Sequence, residues 1–396
     1  MDSRMDVVVA GAGVAGLETA LTLQAIAPEH VTVELIAPEQ EFTYRPLAVA
    51  EPFGIGSMLR APLERLVQAA GADLRRGMLL GIDPAGRRIV LDNGEERLYD
   101  TLVLAPGAQV RESIPGAVTF RGTDQEPEFA TLLERASSGQ LERLIFAVPA
   151  EVSWPLPLYE LVLLTAAYLA DHGSRDVDLL LVTPEARPLL LFGPSASAAV
   201  EKLLADACVG IETTSVPHSW EHGKLQLAGT ETIGADAVVT LPKLEGPALA
   251  GIPQDFDGFV KTDEFGRVRG LEGVYAAGDI VRLPIKQGGI ATQQADAAAT
   301  AIAAAAGADV QPEPFQPVLR GLLLTGFGQG FLRAEQGRSL VDPHPLWWPP
   351  AKIVGRYLSP FLAKQFGLET GDKPPAEGIP VEIALDTLDH TTWSPI

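Results

Sequence analysis

Near its start the chain reads Gly11-Ala12-Gly13-Val14-Ala15-Gly16, directly after the apolar run Val7-Val8-Val9-Ala10. An apolar strand that feeds a Gly-x-Gly-x-x-Gly turn and then a helix aims backbone N–H groups at a pyrophosphate, and Gly13 lets that group approach closely. Gly11, Gly13, Val14, Ala15 and Gly16 are therefore candidate ligands of a dinucleotide. Much later comes Gly273-Val274-Tyr275-Ala276-Ala277-Gly278-Asp279-Ile280, which reads as a second buried strand ending in Gly-Asp. An acidic side chain there can hydrogen-bond the hydroxyls of a flavin's ribityl chain, with Gly278 leaving room for the ligand. Together the two stretches predict FAD.

A chain of 396 residues has room for two or three domains, each with its own core. Its net charge of −21 repels phosphate backbones and anionic headgroups, so nucleic acid is not expected as a partner. Met1 to Met5 lead straight into the first strand, without a basic, apolar and cleavable leader. Apolar stretches such as 161–170 and 297–308 fall short of the ~20 residues of a spanning helix. A cytoplasmic protein is expected. Cys208 is the only cysteine, so no disulfide can form within the chain. His218 and His222 stand four apart, but Pro217 and Gly223 argue against a helix and no third ligand follows, so no metal is expected.

Residues 6–36 read as strand, helix (17–27) and strand (31–36), a Rossmann βαβ unit. Turn residues at 83–86 and 92–94 bracket a hairpin around 87–91, and 99–107 returns to the sheet. A second α/β unit follows, with strands at 144–148, 177–182 and 237–241 and helices at 159–170 and 195–205. From 246 the chain goes back to the first domain through 273–280 and a helix at 289–306. The expected fold class is α/β, with two Rossmann-like dinucleotide-binding domains in three layers. Residues 1–108 and 246–306 make the FAD-binding domain, 109–245 the second domain, and 307–396 a small C-terminal segment.

This layout resembles the two-dinucleotide-domain flavoproteins of the pyridine nucleotide-disulfide reductase type, and among them the sulfide:quinone oxidoreductases and type II NADH dehydrogenases. The two FAD motifs carry the resemblance, with Phe42-Thr43-Tyr44-Arg45-Pro46-Leu47, the stretch 99–108, and Leu283-Pro284-Ile285-Lys286-Gln287-Gly288-Gly289. It implies FAD as cofactor and a small-molecule electron donor and acceptor, with a quinone among the acceptors. It also implies that Ala105 and Gly107 line the cofactor. The helix bearing Gly289 and Ile290 would aim its N-terminus at the flavin's pyrimidine edge, where it stabilises the reduced anion. Arg45 either pairs with the pyrophosphate or makes an ordinary surface ion pair.

Four departures stand out. The acid expected after the second strand, for the adenosine ribose, is Ala37; Glu39 either replaces it or is a solvated loop carboxylate. The usual Ala-Thr-Gly is Ala105-Pro106-Gly107, which lacks a hydroxyl. The turn that would bind a nicotinamide dinucleotide, 146–157, contains no glycine, and Pro155 and Pro157 have no N–H to offer. A lone cysteine cannot form the redox pair of the disulfide reductases, and Cys208 reads as a small structural residue near a helix end.

Three residues are candidates for chemistry at the flavin. Lys286 either stabilises reduced flavin or holds a substrate oxygen, unless it is a plain exposed lysine. Tyr44 lies in a loop that relatives fold towards the cofactor. Trp154 either covers one face of the isoalloxazine or fills the domain junction. In the C-terminal segment, residues 353, 354, 357, 358, 361 and 362 fall on one helical face beside Lys352, Arg356 and Lys364. Residues 346–364 either lie peripherally in the inner face of a membrane or pack on the second domain, and the shortness of the stripe favours packing. A homodimer stays open. The reading is an FAD-dependent oxidoreductase that passes electrons from a small donor through flavin to a quinone or other acceptor, without a cysteine-pair relay. The alternatives are an NAD(P)H dehydrogenase with an atypical nicotinamide site and a redox-inactive flavin-binding scaffold.

Overall fold

The computed structural model describes residues 4–368 apart from 124–125, 151, 153, 175, 327–328, 336–337 and 343–351. Two five-stranded parallel sheets organise it. The first has the strand order Val274–Ala276, Thr101–Leu104, Met5–Ala10, Val31–Ala37, Asp73–Arg76. The second runs Val118–Thr119, Ala237–Thr240, Arg143–Ala147, Asp178–Val182, Val209–Glu212. Both are covered on both faces, and the strand sequences explain it. Val7 and Val9 enter one apolar cluster while Val8 and Ala10 enter another. Leu144 and Phe146 divide from Ile145 and Ala147 in the same way. Side chains alternate with a period of two, and here both phases are apolar.

The helices Val14–Ile26 and Gly288–Ala305 fill one face of the first sheet. A three-stranded antiparallel sheet of Leu79–Asp83, Arg88–Leu91 and Glu96–Leu98 fills the other. The hairpin expected around 87–91 is thus the middle of three strands. The second sheet is layered alike, between the helices Leu156–Asp171 and Pro194–Asp206 and the antiparallel strands Pro217–Glu221, Lys224–Leu227 and Thr232–Gly234. The α/β, three-layer class expected from the sequence is the class observed.

Two expectations are corrected. Cys208 is exposed rather than packed, and its φ of +57° puts it in the left-handed region just past a helix end. In the C-terminal segment the helix is only Leu358–Phe366, and it packs on the first unit, not the second. Ile353, Leu358 and Leu362 join the cluster under the helices Val14–Ile26 and Gly288–Ala305. Residues 346–351 of the expected interface lie outside the described residues. Among the described residues no helix is long and apolar enough to cross a membrane.

One carboxyl fixes this docking. Glu18, buried in the fingerprint helix, accepts the N–H groups of Tyr357 at 3.0 Å and Leu358 at 2.6 Å, capping the incoming helix from outside its own chain segment. Beside it, Asp296 accepts the Thr22 hydroxyl at 2.7 Å. Burial and the neighbouring Asp296 push Glu18 up to about 8, and burial pushes Asp296 up as well. A proton held more tightly by the folded than by the unfolded chain makes stability fall as pH rises from about 4.5 to about 8. The thermal midpoint is therefore expected to drop across that interval, and Glu18→Gln to flatten the drop. An unchanged slope in the variant would refute the assignment.

Candidate functional site

The turn after the first strand is shaped by contacts that only glycine permits. A Cβ on Gly11 would lie 2.0 Å from the Ala105 carbonyl oxygen, and one on Gly16 1.9 Å from that of Gly11. These approaches seat the fingerprint helix hard against the strands Met5–Ala10 and Thr101–Leu104. Gly13 is different, because a Cβ there would meet nothing within 4 Å. The space above the helix N-terminus is open, and no acidic residue or side-chain cap occupies its first turn. Gly107, at φ +77°, also faces open space. A Cβ on Gly278 would meet Ala15 Cβ at 3.0 Å, so the Gly278-Asp279 turn stands over the fingerprint.

The buried Gln294 holds that turn by accepting the Gly278 N–H at 2.8 Å. The half-buried Asp279 carboxylate has no hydrogen bond among the described residues. Burial raises its pKa, while the charges of Lys286 and Arg45 pull it back. Lys286 is not a plain exposed lysine. Its Nζ donates to the carbonyls of Asp279, at 2.9 Å, and Val281, and lies 3.7 Å from the centre of the Phe259 ring. Burial brings its pKa down to about 8. Arg45 is exposed at the start of the 3-10 helix Arg45–Phe53.

The other candidates are more scattered. The Tyr44 hydroxyl accepts the Ile353 N–H at 2.9 Å, and burial pushes it up to about 12. Ile353 also abuts the start of the helix Gly288–Ala305, where a Cβ on Gly288 would meet its Cδ1 at 2.7 Å. Gln287 caps that helix, its Oε1 accepting the Ile290 N–H at 3.1 Å. A Cβ on Gly289 would meet the same Oε1 at 3.0 Å. Glu39 has an exposed side chain, and its carbonyl accepts from Arg76. Trp154 is half-buried in the second unit, edge-on to Phe192 at 5.8 Å.

Two further groupings have no counterpart in the sequence reading. Lys352, expected as a flanking surface cation, is buried: its Nζ meets Glu160 Oε1 at 2.5 Å, with side chains 7% and 1% exposed. Glu160 also accepts the Leu324 N–H at 2.9 Å, and burial raises its pKa against the pull of Lys352. Lys352 itself precedes Ile353, the residue that abuts the start of the helix Gly288–Ala305. The second grouping is Glu185, just past the strand Asp178–Val182, near where Rossmann units carry their ribose acid. It is taken up internally, by the Tyr159 hydroxyl at 2.5 Å and Thr183 Oγ1 at 3.0 Å.

Residues 5–144 and 163–305 match the pyridine nucleotide-disulphide oxidoreductase family, and the chain belongs to it. It is an oxidoreductase of a flavoprotein family. An NADH dehydrogenase-like protein of Mycobacterium tuberculosis is 25% identical over 289 residues, 69% of this chain and 72% of its own. Ferroptosis suppressor protein 1 of Taeniopygia guttata is 27% identical over 300 residues, 72% of this chain and 76% of its own. Among solved structures, the sulfide:quinone oxidoreductase of Aquifex aeolicus matches with a TM-score of 0.77 at 19% identity, covering 86% of this chain and 87% of its own. NDH2 of Plasmodium falciparum matches with a TM-score of 0.57 at 15% identity, covering 70% and 65%. The structural likenesses show a shared fold.

The glycines separate two effects. Gly13→Val is expected to fold, with the unfolding midpoint of the flavin-free wild type, yet to purify colourless, because its side chain enters the open space alone. Gly16→Ala should instead destabilise the protein itself by about 1–3 kcal/mol or more. A Gly13→Val protein that fills with flavin would contradict this assignment.

Proposed function

We propose that the protein is an FAD-dependent oxidoreductase that passes an electron pair from a small donor through the flavin to a quinone or chemically similar acceptor, without a cysteine relay. The observation that carries this reading is the buried Glu160–Lys352 pair, whose lysine precedes the Ile353 that abuts the start of the helix Gly288–Ala305. FAD fits the residues present. The open space over Gly13 receives its pyrophosphate at the N–H groups of Val14 and Ala15, with Gly11 and Gly16 setting the turn and Ala105 and Gly107 along the wall. The unpartnered Asp279 carboxylate suits the ribityl hydroxyls, Arg45 the pyrophosphate charge, and Glu39 the adenosine ribose. Gly289 and Ile290 face the ring from the helix Gly288–Ala305. When bound, FAD supplies reversible two-electron transfer.

The chain's own groups handle position and protons. Lys286 fastens the backbone of Asp279 and Val281, which holds the ribityl-binding turn and leaves a positive charge beside it. A quinone taking two electrons also takes two protons, one of which travels with the electron pair. Glu160, whose pKa burial raises against the pull of Lys352, gives the other to the acceptor oxygen, and Lys352 steadies the carboxylate left behind. Tyr44 positions Ile353, and hence Lys352, by its hydrogen bond. Trp154 lines the second unit's side of the junction. The single cysteine leaves no thiol pair to hold electrons, so the donor reduces flavin directly. Nicotinamide nucleotides are poor donors on this reading, since 146–157 lacks glycine and Glu185 is engaged by Tyr159 and Thr183.

Reduction of the purified protein by NADH, NADPH, sulfide and a quinol, followed by flavin absorbance, tests the reading. Slow bleaching by both nucleotides is expected, and rapid bleaching at micromolar concentration would favour an NAD(P)H dehydrogenase. A flavin that no donor reduces would favour the scaffold. Cys208→Ala should leave every rate nearly unchanged. Glu160→Gln should slow quinone-dependent reoxidation by about 10²-fold or more while flavin content holds. Reoxidation at the wild-type rate in that variant would remove Glu160 from the mechanism.

A further inference from the structure

Behind the Gly278-Asp279 turn lies a cavity of about 650 Å³, within the range of small-molecule sites. Its walls come from residues 255–283, from Gln294 and from Phe315. None of the residues that face the proposed FAD lines it. Ala276, at the end of the edge strand Val274–Ala276 of the first sheet, is part of its wall.

Its charge runs against that of the chain. The protein carries a net −21, yet Lys261, Arg269 and Arg282 all line this cavity. The two acids among them are already engaged. Asp255 accepts the N–H groups of Asp257 at 3.0 Å and Phe259 at 2.9 Å with one oxygen and pairs with Arg282 through the other. Asp263 accepts those of Phe265 and Arg267, each at 2.9 Å, and pairs with Arg267 at 3.4 Å. Lys261 and Arg269 are set side by side by the Arg269 N–H, which donates to the Lys261 carbonyl at 3.0 Å. Both are exposed, and neither meets a carboxylate within 4.0 Å among the described residues.

Two more features point to a ligand. Gln294 is only 6% exposed, and its carbonyl oxygen is fixed by Gly278, which orients the amide. Its NH2 group has no acceptor among the described residues, and the residue forms part of the cavity wall. At the rim, Phe256 is 88% exposed, its ring 6.0 Å from the Arg282 guanidinium, with Phe315 as a second aromatic wall. A large ring left this open beside cations is a stacking platform.

We propose that this cavity binds a small anion carrying a planar aromatic ring, with the anionic group on Lys261 and Arg269 and the ring between Phe256 and Phe315. The Gln294 amide then donates to the ligand while its carbonyl keeps the Gly278 N–H, so binding is felt at the flavin turn. The coupling rests on the proposed flavin site, but the binding itself does not. Nucleoside monophosphates and aromatic carboxylates share this chemistry.

Calorimetric titration of the purified, flavin-loaded full chain with AMP, benzoate and inorganic phosphate tests the proposal. Saturable binding of AMP or benzoate is expected, tighter than phosphate, and the better of the two tells which source supplies the anion. The double variant Lys261→Gln with Arg269→Gln should weaken it by about tenfold or more, as loss of charge-assisted hydrogen bonds does, with flavin content unchanged. No binding at millimolar concentration, affinity unchanged in the double variant, or phosphate binding as tightly as AMP and benzoate would each overturn it. A colourless preparation that still binds AMP, and loses that binding in the double variant, would defeat the flavin reading and leave this one standing.

Discussion

Backbone-on-backbone contact at the first crossover governs the arrangement of this protein. At Gly11 and Gly16 a single added carbon would collide with a carbonyl oxygen at 2.0 Å or less. The fingerprint helix therefore sits closer to its strands than any other residue type permits. Seated there, it buries Leu17, Ala20 and Leu23 and offers two further sides. One receives the alanine-rich face of the helix Gly288–Ala305, through Ala291, Ala295 and Ala298. The other receives the C-terminal helix, whose first N–H groups end on Glu18. The space over Gly13 in the same turn is left open.

Buried acids divide architecture from function. Burial raises the pKa of Glu18, Asp296, Glu160, Glu185 and Asp279, since each carboxylate has lost water. The first four are answered from within: backbone N–H groups at Glu18, a threonine at Asp296, an ammonium at Glu160, a phenol and a threonine at Glu185. Asp279 is answered only by charge at a distance. The half-buried Asp279 is thus the acid among these that the described residues leave without a hydrogen bond.

The same reasoning separates the two Rossmann-like units. The first keeps an open glycine turn and a free acid. In the second, the turn is glycine-free and the acid past its second strand is locked to Tyr159. Two units of one architecture have thus diverged, the first with open space over its glycine turn and the second with its acid bound internally.

The sequence by itself determined the two α/β units, their strand faces and the glycine cradle, because each rests on short-range rules. A period of two assigns strand faces, and a Gly-x-Gly-x-x-Gly turn admits no substitute where backbones touch. It could not reveal what Lys352, Glu18 and Tyr44 do. Lys352 meets Glu160 across 192 positions, and Glu18 caps Leu358 across 340. A charged residue beside an apolar stripe looks like a solvated flank until the stripe is docked and the charge is buried with it. The docking also took the Tyr44 hydroxyl for Ile353, gave Lys286 to backbone carbonyls and set Trp154 against Phe192. Which polar groups remained free was decided only when the tertiary structure had brought distant segments together, since a hydrogen bond spends a donor wherever the fold places an acceptor.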